Sequence, residues 1–233
     1  MTRIEEQKPP QNSVSFREVF PAIAGSMVQT YSNIAEDAFA GFLDEKASLA
    51  ASEASRNNER SKAYGIQTIV FAAMAIEAAA FEFLPPSLLS QEDKGEIDKW
   101  GLVRKWVQMP ERLVGQPLEF ESPAINGLGN LVKARNRLVH YKSKWENDKG
   151  TVRLAMAKEW EKFETEQVPN AFMTLVLLSL ELNASPCGIF GGFPYHDRTN
   201  CPPGFKSRHT PHPGVKEVID RCLAIHHKHH KRA

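Results

Sequence analysis

One short stretch of the chain, residues 133–144, concentrates side chains that can bind a phosphate and transfer a proton. It reads KARNRLVHYKSK and contains no acid. Histidine titrates near neutrality and can act as a general base or acid, and the planar donors of arginine fit phosphate oxygens. Beside a phosphodiester, His140 and Arg135 could deprotonate a ribose 2′-hydroxyl and stabilise the charge that develops on phosphorus. That reaction needs no metal, and its substrate is RNA because DNA lacks the 2′-hydroxyl.

The spacing within this stretch does not place all three candidate side chains on one face of an ideal helix. Asn136 and His140 lie four residues apart and therefore share a helix face. Arg135 lies five residues before His140, which is about 140° around an ideal helix. The three would converge better if the helix were distorted here, or if a second copy of the chain completed the site. We expect Leu138 and Val139 to anchor the helix in the core.

The alternative interpretation is an ordinary basic helix that carries one histidine on a solvated face. An arginine followed five residues later by a histidine occurs often by chance. The spacing alone therefore leaves both interpretations open, and the elements around the stretch have to decide between them.

Apolar periodicity predicts an all-α fold, an antiparallel helical bundle, with no internal repeat and no alternating strand pattern. Ser122 is a candidate N-cap because Pro123 follows it at the first helical position, and Pro169 predicts a break or kink. The predicted elements are a helix from residue 26 to the polar cluster 55–58, helices over about 59–84 and 87–107, a loop over 108–121, a helix from about 124 past 140, and mostly helix over 151–183.

Composition divides the chain into three parts, with a flexible segment over 1–25, the bundle over 26–183 and an extension over 184–233. Residues 184–214 are rich in proline and glycine, which predicts an irregular connection. A short helix is predicted from about Val215 to His226. We expect the basic, histidine-rich end of the chain, HHKHHKRA, to be a disordered tail.

The motif Arg135-Asn136-Arg137-Leu138-Val139-His140, late in a helix of an all-helical bundle, resembles the R-x4–6-H signature of the HEPN superfamily (higher eukaryotes and prokaryotes nucleotide-binding domain). An asparagine directly after the arginine is a frequent form of that signature. The segment IVFAAMAIEAAAFEFL, around Glu77, is similar to the long alanine-rich helix with a buried glutamate that precedes the motif in many members. The resemblance spans roughly residues 26–183.

The resemblance implies a metal-independent endoribonuclease that acts as a homodimer, with two motifs facing each other in one composite cleft. Arg135 and His140 would then be the catalytic pair, Asn136 would orient or assist them, and the products would carry a 2′,3′-cyclic phosphate and a 5′-hydroxyl. Such enzymes act in toxin–antitoxin, abortive-infection and RNA-processing systems, so an antitoxin or another protein is a candidate partner. Other members are non-catalytic and bind RNA, nucleotides or proteins, which is the alternative function.

Further charged residues are predicted to support the motif without taking part in the chemistry. A carboxylate on an apolar helix needs a partner, so we expect Glu77 to contact Arg135 or Arg137 across the bundle. The residues expected to attract RNA phosphates are Lys133, Arg137, Lys142 and Lys144.

A loose set of cysteines and histidines near the C-terminus lacks a C-x2-C pair and matches no zinc-ligand spacing. We therefore expect neither a metal nor another cofactor. The set comprises Cys187, His196, Cys201, His209, His212 and Cys222.

The overall charge and hydropathy restrict where the protein acts. A net charge of +1 means that RNA binding has to depend on the local basic stretch rather than on bulk charge. The polar N-terminal segment lacks the apolar stretch of a secretory signal. The most apolar run, Ile66 to Leu84, carries Glu77 and Glu82, which would be costly in lipid. We expect a cytoplasmic protein without a membrane partner.

Overall fold

The part of the chain that the structure describes is all-helical and contains no strand, which confirms the predicted fold class for those residues. The computed structural model describes residues 26–51, 59–82, 90–115, 117–142, 151–184, 193–195 and 210–231. The helices are α1 (Val28–Ala51), α2 (Glu59–Glu82), α3 (Gln91–Asp98), α4 (Leu102–Val114), α5 (Pro123–Val139), α6 (Thr151–Lys162), α7 (Val168–Ala184) and α8 (Pro213–His230). A π-helical turn, Phe163–Gln167, joins α6 to α7.

Helix α2 lies at the centre of the described fold. It packs against α1, α5 and α7, and small side chains such as Ala72, Ala75 and Ala79 are completely buried on it. Among the described residues, α2 is the one helix long and apolar enough to cross a membrane by length and composition, and half of its apolar window is buried inside the fold. Core helices of soluble proteins often have this length and apolar character.

The third predicted helix is wrong in its bounds, because residues 87–107 do not form one helix. The chain turns at 99–101 between α3 and α4, and this turn allows Trp100 and Trp106 both to be buried. Arg112 then connects the two helices, since its guanidinium reaches the carboxylate of Asp93 at 3.5 Å and that of Glu96 at 3.7 Å.

The loop predicted from residue 108 is also wrong in its first half. Pro110 lies inside α4 and is buried. Burial of its ring offsets the loss of the backbone hydrogen bond that proline cannot donate. The helix ends only at Gly115, which has the left-handed φ of 74° that favours glycine.

The predicted irregularity near Pro169 takes the form of the π-helical turn just before it. Proline has no N–H to donate to the preceding turn, and an added residue relieves that mismatch. Val168 accordingly donates its N–H to the carbonyl of Phe163, five residues back. The Phe163 ring is fully buried against α2 at Gly65.

Replacing Gly65 by alanine should destabilise the fold by about 1–3 kcal/mol, because an added methyl overpacks this contact. A Cβ at Gly65 would lie 2.8 Å from ring carbons of Phe163 and 2.8 Å from a methyl of Val168. Gly129 of α5 is the matched control, since a Cβ there meets nothing within 4 Å. Gly129→Ala should leave stability unchanged or raise it by about 0.5–1 kcal/mol. Urea unfolding compares the two, and equal stabilities would contradict the contact.

The C-terminal helix differs most from the prediction. It runs from Pro213 to His230, so the residues 226–230, expected to be disordered, are helical. Val215 and Cys222 are completely buried in the same core as α1 and α7, and burial raises the pKa of the Cys222 thiol to about 12. This helix, which the sequence assigns to the C-terminal extension, therefore packs against the described core.

The histidines at the end of α8 contact a buried carboxylate on α7. Glu181 Oε1 lies 3.4 Å from His226 Nδ1, and Glu181 Oε2 lies 3.0 Å from His230 Nε2. Burial opposes ionisation of this carboxyl, but the hydrogen bond from His226 and the neighbouring His230 outweigh it and lower the pKa of Glu181. The apparent tail thus makes a specific polar contact with the core.

Candidate functional site

The motif Arg135–His140 lies at the C-terminal end of α5, which the core holds in place. Ser122 caps the start of the helix as predicted, accepting a hydrogen bond from the N–H of Ile125 at 3.3 Å. Leu128 and Leu131 are completely buried. Asn170 of α7 donates its side-chain N–H to the carbonyl of Gly127 at 3.1 Å. The motif therefore extends from a fixed helix rather than from a loop.

Two of the three predicted catalytic side chains are exposed and the third is half-buried. Asn136 and His140 are exposed, and Arg135 is half-buried beside them. Arg135 donates a hydrogen bond from Nη1 to Asn136 Oδ1 at 3.1 Å. The structure thus joins Arg135 to its neighbour Asn136 through one side-chain hydrogen bond.

His140 lies just beyond the helix, where the backbone leaves helical geometry. The helix ends at Val139, and His140 has φ −105° and ψ 24°. Its N–H still donates to the carbonyl of Asn136 at 3.0 Å. The offset of about 140° assumes a continuous ideal helix, so it does not apply strictly to His140. In the described part of the chain no side chain bonds to the His140 ring, so solvent or a ligand can reach it.

The predicted phosphate-attracting residues separate into two kinds. Lys133 and Lys142 are exposed and form no ion pair with another described residue. Lys144 lies outside the described residues. Arg137 is half-buried and donates from Nη2 to Gln167 Oε1 in the π-helical turn at 2.7 Å. The guanidinium of Arg137 therefore fastens α5 to the turn, and the two exposed lysines are the better candidates for phosphate contact.

Glu77 is not the buried partner that the sequence suggests. Its side chain is exposed on α2, so it needs no cation to offset burial, and no ion pair joins it to Arg135 or Arg137 in the described part of the chain. Glu77 is one of several exposed positions on α2, so the apolar residues beside it in the sequence did not indicate burial of its own side chain.

The expected anchoring of the motif is half wrong. Leu138 is partly buried and packs against the core, but Val139 is 56% exposed. The helix ends at Val139, so this residue points away from the packed face. The anchors of α5 lie earlier in the helix, among residues with the same apolar period.

The structure describes two members of the Cys/His set, and each has a different partner. His212 Nε2 lies 3.1 Å from Asp44 Oδ1, and the buried Cys222 thiol lies 3.8 Å from the carbonyl oxygen of Met173. The other four, Cys187, His196, Cys201 and His209, lie outside the described residues.

The sequence interpretation missed two contacts that involve functional groups. Gln167 was not identified as a partner of Arg137, although Pro169 signalled an irregular backbone close to it. Glu181 was not connected with His226 and His230, although the four-residue spacing of these histidines fits one helix face.

Comparisons with protein-family models, with curated proteins and with solved structures found no match to this chain.

Proposed function

We propose that this chain is a metal-independent endoribonuclease of HEPN type, with Arg135, Asn136 and His140 as its reacting and orienting groups. The observation that carries the proposal is the exposed end of α5, where Arg135 is hydrogen-bonded to Asn136 and is followed at the helix end by the His140 ring, which bonds to no other side chain that the structure describes. A general base has to be within reach of the proton that it removes, and exposure of His140 meets that condition.

In the proposed reaction, His140 removes the proton from a ribose 2′-hydroxyl. The 2′-oxygen bonds to the adjacent phosphorus, the bond from phosphorus to the 5′-oxygen breaks, and that leaving oxygen takes a proton. Arg135 donates hydrogen bonds to the non-bridging oxygens as charge develops on them. Asn136 holds the guanidinium of Arg135 in position through their hydrogen bond. The products are a 2′,3′-cyclic phosphate and a 5′-hydroxyl.

A homodimer completes this proposal. A single His140 cannot both accept the first proton and present a second one at the same moment, whereas a facing copy supplies a protonated histidine for the leaving oxygen. The exposed Lys133 and Lys142 would add sequence-independent attraction for the RNA backbone. We place such an enzyme in the cytoplasm, in a defence, toxin–antitoxin or RNA-processing system in which a partner protein controls it.

One observation favours a second candidate function, a non-catalytic HEPN-like module that binds RNA, a nucleotide or a protein. Activated bases are usually oriented by a third group, and in the described residues no side chain bonds to the His140 ring. The same exposed groups would then bind a phosphate without cleaving the chain.

Incubation of the purified full chain with RNA in excess EDTA tests the proposal. We expect fragments that end in a 2′,3′-cyclic phosphate and begin with a 5′-hydroxyl, identified by mass spectrometry. DNA of the same sequence is the control and should stay intact, because it lacks the attacking hydroxyl. Cleavage that requires a divalent cation and leaves 5′-phosphates would refute the mechanism, and RNA binding without cleavage would select the binding module.

A further inference from the structure

A cluster of side chains of the types that bind metals lies where the C-terminal parts of α7 and α8 meet, outside the motif at the end of α5. Glu181 near the end of α7 meets His226 and His230 of α8, and one ligand atom from each residue lies within 4.8 Å of the others. His226 and His230 are four residues apart and so share one face of α8. The His226 and His230 rings have centroids 4.3 Å apart. Three potential ligands thus converge from two separate helices.

The distances from the two carboxylate oxygens to the two imidazoles are close to those between ligands of a small divalent cation. Zinc bonds of about 2.0–2.2 Å in a tetrahedral site place neighbouring ligand atoms about 3.4 Å apart. The two carboxylate–imidazole distances are 3.4 Å and 3.0 Å. Two imidazoles and one carboxylate are the donor set that zinc and neighbouring transition metals prefer, whereas calcium and magnesium require mainly oxygen ligands.

Burial gives the cluster a closed side and an open side. The side chains of Glu181 and His226 are 8% and 7% exposed, whereas that of His230 is 45% exposed. A cation could therefore enter past His230 and keep water as its remaining ligand, while the buried carboxylate supplies negative charge.

We propose that Glu181, His226 and His230 bind one zinc-class divalent cation, which fastens α8 to α7. This proposal departs from the expectation, drawn from the cysteine and histidine spacing, of a chain without a metal site. The site is independent of the RNA-cleavage proposal, since none of its ligands belongs to the motif at the end of α5. Removal of the cation should weaken the docking of α8 and leave the groups at Arg135 and His140 in place.

Metal titration of the untagged, chelator-stripped full chain tests this inference. Zn²⁺ binding is measured by calorimetry and Co²⁺ binding by the visible absorption that tetrahedral cobalt gives. We expect one ion per chain and a higher melting temperature in its presence. Glu181→Gln and His230→Ala should each weaken binding at least about tenfold, since the loss even of an outer-shell partner typically costs about 10- to 100-fold in affinity.

His227→Ala is the matched control, because His227 is an exposed histidine of the same helix that is not part of the cluster. Its binding should equal that of the unsubstituted chain. Because the His230 side chain is exposed, the His230→Ala variant should fold even if a variant at the buried His226 does not. Absence of stoichiometric binding would overturn the inference. Binding that survives Glu181→Gln and His230→Ala but is lost in His227→Ala would also overturn it, as adventitious binding by a histidine-rich helix.

Discussion

His140→Ala should slow cleavage of RNA in EDTA by about two to four orders of magnitude, the usual contribution of a positioned general acid or base. The ring is exposed and makes no side-chain hydrogen bond, ion pair or ring contact with another described residue, so its loss should remove the base with little effect on the packing of α5. RNA affinity should change much less than the rate, because Lys133 and Lys142 remain. Single-turnover rates and filter-binding affinities measure the two effects separately.

His227→Ala serves as the control for this substitution as well, since it removes an exposed histidine from a different helix. Its cleavage rate should match that of the unsubstituted chain. Circular dichroism of both variants should show the same helix content. If His140→Ala cleaves at the original rate, the assignment of the base is wrong and the exposed ring has another function.

Of the substitutions proposed for this chain, Phe172→Ala should lower the free energy of unfolding most, by about 3–5 kcal/mol, because it removes a fully buried ring and leaves a cavity. Phe172 of α7 is completely buried. Its ring stacks on Phe39 of α1 with centroids 4.7 Å apart and meets the edge of Tyr195 at 5.8 Å. The substitution therefore weakens contacts between α1, α7 and the segment that contains Tyr195. Urea unfolding, followed by circular dichroism, measures the change.

Phe120→Ala is the matched control for the lost ring, because Phe120 is 67% exposed. Its stability should stay within about 0.5 kcal/mol of the original, as is usual for surface substitutions. Phe172→Leu keeps part of the volume and should show a smaller loss, which provides a measurement if the alanine variant does not fold. Equal stabilities of the Phe172 and Phe120 variants would contradict the packing described for the core.

The fold class could be predicted because helix formation depends on local periodicity. The apolar residues of α1 and α2, and the cap formed by Ser122, signal their structure within a few positions of the chain. The predicted helix ends were wrong where tertiary contacts override local preference. Burial keeps Pro110 inside α4, and a buried Cys222 and Val215 hold α8 against the core.

The site could be predicted only in part, for the same physical reason. Residue types identified Arg135, Asn136 and His140, and the spacing of one residue allowed the Arg135–Asn136 hydrogen bond. Contacts between distant segments carry no local signal. The bond from Arg137 to Gln167 spans 30 residues, and the contact between Glu181 and His226 spans 45. Exposure of Glu77 likewise depends on which neighbours pack around α2.

Cleavage of an oligoribonucleotide with one 2′-deoxy nucleotide at the mapped cleavage position tests the central claim most directly. The measurement is the single-turnover rate at that position in EDTA, with the all-ribose oligonucleotide as reference. If His140 activates the 2′-hydroxyl, the substituted position should not be cut, while other positions in the same strand are cut at their original rates. Cleavage at the substituted position at the original rate would contradict the account, because the attacking group would then be another nucleophile.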